Sequence, residues 1–170
     1  IVLLACWFGS ANQEAAAASN ANYATCIACH GQKGEGNSAM GAPNIAGMDA
    51  WYLNKQLEDF SLGRRGNKPG DTYGSQMRAM AGTVANPADR LALSNYIAQL
   101  PKTPPPAPPK SAVKANLANG STQFNALCSA CHNSNGRGNK ALGAPRLAGV
   151  DNVYLARQYA NFRTGKRGTD

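Results

Sequence analysis

The apolar positions of this chain recur at helical rather than strand spacing. Residues 49–62 (Asp49-Ala-Trp-Tyr-Leu-Asn-Lys-Gln-Leu-Glu-Asp-Phe-Ser-Leu) read as a helix with Asp49 as its N-cap. Asn86-Pro87-Ala88-Asp89 opens another, with Pro87 at the first helical position. It runs to Leu100, and Leu91, Leu93, Tyr96, Ile97 and Leu100 give it an apolar face. Two more helices are predicted over residues 10–30 and about 112–132. Glycines punctuate residues 31–48, which read as a wrapping loop, and residues 63–85 read as a second loop. Between the halves, Pro101-Lys-Thr-Pro-Pro-Pro-Ala-Pro-Pro-Lys110 holds six prolines in nine residues. Such a run excludes helix and favours a semi-rigid polyproline II spacer.

The pattern repeats. A shift of 102 residues lays Ala24–Gly66 on Ala126–Gly168 without a gap, and about half of the 43 aligned positions are identical. The shared skeleton includes Gly34/Gly136, Gly36/Gly138, Pro43/Pro145, Tyr52/Tyr154, Gln56/Gln158, Phe60/Phe162 and Arg65/Arg167. Two copies are too few for a solenoid and read as two similar domains. The predicted division is a signal-like or anchor segment at 1–19, a first domain at 20–100, the linker at 101–110 and a second domain at 111–170.

Composition refines this picture at three points. Net charge is +8, and it is uneven. Residues 1–100 hold seven Lys/Arg and seven Asp/Glu, whereas residues 101–170 hold ten Lys/Arg and two Asp. A basic surface on the second domain, with Arg157, Arg163 and Lys166, would steer an acidic partner or a negative membrane surface. Nucleic acid is not a partner this reading supports. The N-terminal run Ile1-Val2-Leu3-Leu4-Ala5-Cys6-Trp7-Phe8 resembles the end of a signal h-region. Three readings stand for it: a retained membrane anchor, which we adopt, a lipidated Cys6, or a signal remnant. No spare His, paired carboxylates or nucleophile with a base suggest a substrate pocket.

The chemistry lies in a pentapeptide that occurs twice, Cys26-Ile-Ala-Cys29-His30 and Cys128-Ser-Ala-Cys131-His132. Cys-x-x-Cys-His is the attachment signature of a c-type haem. On a helical turn, residues i, i+3 and i+4 share a face. Two thiols there can bond the two vinyl groups of one haem while the imidazole reaches the iron. Two haem c groups and one-electron chemistry are expected. Covalent haem attachment implies assembly outside the cytoplasm, hence a periplasmic protein. Of the five cysteines only Cys6 remains.

With the Pro-x-Leu/Ile-Ala-Gly, Tyr-Leu-x-x-Gln, Phe-x-x-Gly-x-Arg and Met-x-x-Met segments that follow, the chain resembles the di-haem cytochrome c4 family over roughly residues 20–170. The resemblance implies an all-α fold of two tandem class I cytochrome c domains, each with His/Met-ligated iron. His30 and His132 are the only histidines, so bis-His ligation within the chain is excluded. Met77 of Gly74-Ser-Gln-Met77-Arg-Ala-Met80 lies where the family carries its sixth ligand, and thioether sulfur suits haem iron. Met40 and Met48 read as core filler, because their repeat partners are Leu142 and Val150. The equivalent of Met77 in the second copy would fall beyond residue 170, so the second domain is read as truncated, its sixth ligand unassigned. In similar proteins a Pro carbonyl accepts the proximal imidazole N–H, which points to Pro43 and Pro145. Tyr52 and Tyr154 would bond a propionate or the neighbouring domain, or simply pack; Arg65 and Arg167 would pair with propionates or lie on the surface. The function implied is a membrane-associated electron carrier of the periplasmic respiratory chain, not an enzyme. It would take electrons from a cytochrome or blue-copper donor and deliver them to a terminal oxidase or other redox protein. The alternatives are a haem subunit fixed in a larger respiratory complex and a catalytic di-haem enzyme of the peroxidase or thiosulfate-oxidising type.

Overall fold

The structure is a computed structural model, and it describes residues 22–104 and 116–168. The described residues form helices and loops; the only extended pairings are two isolated antiparallel bridges, Asn37 with Ala42 and Asn139 with Ala144. In the first half, residues 22–24 make a helical turn that leads into α1 (Ile27–His30). A loop with a 3-10 turn at Ser38–Met40 connects it to α2 (Ala50–Ser61). Helices α3 (Thr72–Ala81) and α4 (Pro87–Gln99) complete this half. The second half starts with α5 (Leu117–Gln123), continues through a π-helical turn at Phe124–Cys128 into α6 (Ser129–His132), and ends with α7 (Asn152–Arg163).

Several sequence expectations are revised. Met77 lies in helix α3, not in a loop. The Gly and Pro at 66, 69, 70 and 74 suggested a loop, but Asp71 accepts the Gly74 N–H at 3.1 Å and caps a run of strong helix formers, Gln76-Met-Arg-Ala-Met-Ala81. The helix expected over 10–30 is interrupted at Thr25–Cys26, and its residues 10–21 lie outside the described residues. The helix expected from 112 begins at Leu117, where the Asn116 side chain accepts the Asn119 N–H at 2.9 Å; residues 112–115 also lie outside the described residues. Asp49 stands at the N-cap of α2 but makes no side-chain cap bond, whereas Asp151 does so for α7, taking the Tyr154 N–H at 2.8 Å. Pro87 opens α4 as expected. On that helix Leu93 and Ile97 are buried, but Leu91 faces solvent.

The core lies in the first half. Leu53, Leu57 and Phe60 of α2 pack against Leu93 and Ile97 of α4, with Tyr23, Ala81 and Val84 closing the cluster. Each such large side chain contributes about 1.5–3 kcal/mol on burial. The same face of α7 is open: Tyr159 and Phe162, repeat partners of Leu57 and Phe60, are 66% and 41% exposed against 8% and 5%. Helices α3 and α4 cover that face in the first half, and no counterpart of either occurs among the described residues of the second.

Candidate functional site

Each Cys-x-x-Cys-His occupies a short helix that ends sharply. After His30, Gly31 takes φ +77°, and after His132, Asn133 takes φ +61°, the one non-glycine residue with positive φ among those described. The chain then doubles back so that Gly36 N–H donates to the His30 carbonyl at 2.9 Å, and Gly138 N–H to the His132 carbonyl at 2.9 Å. Glycine is required at both positions. A Cβ on Gly36 would stand 2.5 Å from the Asn44 nitrogen, and one on Gly138 2.6 Å from that of Arg146. This close approach brings the Pro43 carbonyl 2.9 Å from His30 Nδ1, and the Pro145 carbonyl 2.8 Å from His132 Nδ1. A carbonyl can only accept, so Nδ1 carries the hydrogen and Nε2 is left with its lone pair outward. Burial holds the His30 imidazole below its ordinary pKa, outweighing the Pro43 bond, so the ring is neutral and fit to ligate iron.

Above the first motif opens an apolar cleft with about 1230 Å³ of empty space, part of it continuous with solvent. Cys26, Cys29 and His30 line it together with Leu53, Leu57 and Ile97. A haem c fits this cleft on the chemistry of the walls: two thiols and an imidazole on one helical turn, hydrocarbon around them. Burial pushes the Cys26 thiol above its usual pKa, as befits a residue facing an apolar cavity. All four methionines line the cleft. Met40 and Met80 are 46% and 39% exposed, whereas Met48 and Met77 pack against the core. In the second half, Cys128, Cys131 and His132 stand in the same arrangement, but Cys131 is exposed and the facing helix surface is uncovered.

The tyrosines and arginines shared by the repeats do not lie on the surface. They join the two halves. Arg65 donates through Nη2 to the Tyr154 hydroxyl at 2.9 Å and to Gln158 Oε1 at 2.8 Å. Arg167 donates through Nη2 to the Tyr52 hydroxyl at 3.2 Å and to Gln56 Oε1 at 2.9 Å. Each arginine also bonds the glutamine of its own half, and each lies over the Phe of its own half, 4.4 Å from Phe60 and 4.5 Å from Phe162. Every member maps onto its opposite number by the 102-residue shift, so the contact is isologous, with one patch meeting its own copy. Burial and the neighbouring Tyr154 push the Tyr52 phenol up. Burial also acts to raise Tyr154, but the charges of Arg65, Arg167 and Arg157 prevail and hold it below its ordinary value.

Further contacts break this symmetry, and sequence reasoning missed them. Asn44, beside Pro43, is buried; it accepts the Asp151 N–H at 3.1 Å and donates to the Gly149 and Thr103 carbonyls, each at 3.3 Å. Its repeat partner is Arg146. Arg157, expected on a basic docking face, instead turns inward and donates to the Gly41 carbonyl of the other half. Its repeat partner, Lys55, pairs with Asp59 at 2.8 Å. Because both positions differ between the copies, the repeat gave no signal for them.

No helix among the described residues is long and apolar enough to cross a membrane, and the anchor expected at 1–19 lies outside them.

Comparison with known proteins agrees with this geometry. The Cytochrome c family model matches residues 15–101 and 117–170. Cytochrome c4 of Azotobacter vinelandii is 34% identical over 162 residues, which is 91% of this chain and 75% of that protein. The thiosulfate dehydrogenase electron acceptor of Thiomonas intermedia is 33% identical over 91% of this chain and 70% of its own length. The crystal structure of reduced recombinant cytochrome c4 from Pseudomonas stutzeri matches with a TM-score of 0.67 at 29% identity, covering 90% of this chain and 82% of that one.

Proposed function

This chain belongs to the di-haem cytochrome c4 family, and we propose on that footing that it shuttles single electrons in the periplasm between a respiratory donor and a terminal oxidase or other redox protein. It carries two haem c groups in two cytochrome c domains, which are taken to span 20–100 and 111–170 on either side of the linker at 101–110. When bound, each haem supplies reversible one-electron exchange at iron. The protein's part is to hold and tune it. Cys26 and Cys29, and Cys128 and Cys131, tether the two groups. His30 and His132 would ligate the two irons. The Pro43 and Pro145 carbonyls fix each ring and raise its basicity. Met77, on the helix that lines the first cleft, is the proposed sixth ligand there. A thioether at this position raises the reduction potential, as an oxidase donor requires.

The observation that carries this reading is the duplicated Cys-x-x-Cys-His turn with its imidazole bonded to a proline carbonyl in both copies. The test is a spectroelectrochemical titration of the holoprotein, with carbon monoxide added to the reduced form. Two waves, the first-domain one at high potential and unmoved by carbon monoxide, support the carrier. A carbon monoxide-binding haem in the first domain overturns Met77 as ligand and favours catalysis. The similarity to a protein named as a thiosulfate dehydrogenase electron acceptor supports a second reading, in which the donor is such an enzyme. Rapid reduction of the holoprotein by thiosulfate and a thiosulfate dehydrogenase supports it. Reduction by thiosulfate alone would instead make the chain the enzyme.

A further inference from the structure

Three side chains of the second domain, Tyr154, Arg157 and Gln158, line the cleft above Cys26 and His30. Arg157 is the one with an unmet requirement. Its Nη2 reaches the Gly41 carbonyl, and its guanidinium lies 4.2 Å over the Tyr73 ring and 5.6 Å from that of Tyr154. Its Nε is buried without a hydrogen-bond partner. The ion pairs among the described residues use Lys55, Arg64 and Arg90 with Glu58 and Asp59, all in the first domain, and none uses Arg157. Asp71, the carboxylate that lines the cleft, accepts from the Gly74 N–H and from Asn161 Nδ2 at 3.3 Å. A cation with a buried, unpartnered donor is costly unless an acceptor arrives. A haem brings two propionate carboxylates into this apolar cleft, and those need a cation.

We propose that Arg157 of the second domain supplies the counter-charge for a propionate of the haem held by Cys26, Cys29 and His30, and so sets that haem's potential from across the domain boundary. The inference rests on the di-haem reading above. A fixed positive charge beside the group favours its more electron-rich, ferrous state, so the potential of the first haem rises when the second domain is docked. The arrangement is one-sided, because the repeat partner Lys55 is already neutralised by Asp59.

The experiment is a redox titration of the full holoprotein as parent, Arg157→Gln, Arg157→Lys and Lys55→Gln. Each wave is assigned to its domain by haem-methyl NOEs to Leu53 and Leu57. In Arg157→Gln the first-domain wave is expected to fall by about tenfold in its reduction equilibrium, about 59 mV for one electron, and the second to stay. Arg157→Lys should restore most of the shift, and Lys55→Gln should leave both waves in place. An unmoved first wave, an equal fall in both, no rescue by Lys, or the same shift in Lys55→Gln overturns the proposal. Haem content by mass separates the two levels: fewer than two haems per chain overturns the di-haem reading and this inference together, whereas two haems with unmoved waves overturns only the role of Arg157.

Discussion

Met77 packs against the core from helix α3 while lining the cleft, so its sulfur is held rather than dangling. Met77→Ala is expected to lower the first haem's reduction equilibrium by at least about tenfold and to remove the far-red sulfur–iron band. An unchanged spectrum would transfer the role to Met48 or Met80. Tyr23 carries a different prediction. Its hydroxyl donates to the Gly31 carbonyl at 2.7 Å, just past the first motif. Burial is the main cause that pushes its pKa up to about 12 from 10.0, and Glu35 adds to it; the share owed to the Cys26 thiol vanishes once that sulfur is in a thioether. The folded value lies above the unfolded one, so the contribution is complete below pH 10 and is lost as pH rises toward 12. Linkage caps it at about 3 kcal/mol. Denaturant melts of the holoprotein between pH 9 and 12 should show this slope, and Tyr23→Phe should flatten it. Equal slopes in both proteins would place the titrating group elsewhere. The ligand thiols and imidazoles were legible as residues because Cys-x-x-Cys-His encodes its geometry within one helical turn. Arg157 was not, since an arginine's direction depends on what it meets across the molecule.

Among elements, the loop from Gly31 to Met48 does the positioning, and its decisive residue is Gly36. At φ +84°, with backbone 2.5 Å from any Cβ, alanine there must displace Asn44 and with it the Pro43 carbonyl. Gly36→Ala should destabilise the first domain by about 1–3 kcal/mol and loosen the His30 bond. The check is a lower melting temperature together with a changed His30 Nδ1–H resonance in the reduced holoprotein. A shift in stability without any change in that resonance would mean that Pro43 had not moved. Helices α2 and α4 were readable from apolar spacing, because a face that must pack leaves a period in the sequence. Helix α3 was not. Gly74 and the Gly and Pro before it outweighed the local signals, and what stabilises it is a capping carboxylate, Asp71, that also meets Asn161 of the second domain.

At the scale of the molecule, the arginine, glutamine and tyrosine sextet joins the two domains through charged donors and neutral acceptors. Replacing Arg65 and Arg167 together with leucine leaves the Gln and Tyr oxygens buried without donors, at about 1–3 kcal/mol for each orphaned group. Small-angle scattering should then show a more extended particle, and heating should separate two transitions. A compact particle with one transition would show that Asn44, Asp71 and Arg157 suffice to hold the halves together.

The covalent chemistry, the duplication and the helical class were legible in the chain, because they rest on short spacings and on a 102-residue repeat that survives in linear order. The repeat even marked Tyr52, Gln56 and Arg65 as shared. It could not say that they bond their own copies, since an isologous contact and a pair of separate surface patches leave the same pattern. That assignment, together with the inward turn of Arg157 and the tie from Asn44 to Asp151, depends on contacts between residues about 100 positions apart. Docking of the two halves creates those contacts, and no local periodicity records it.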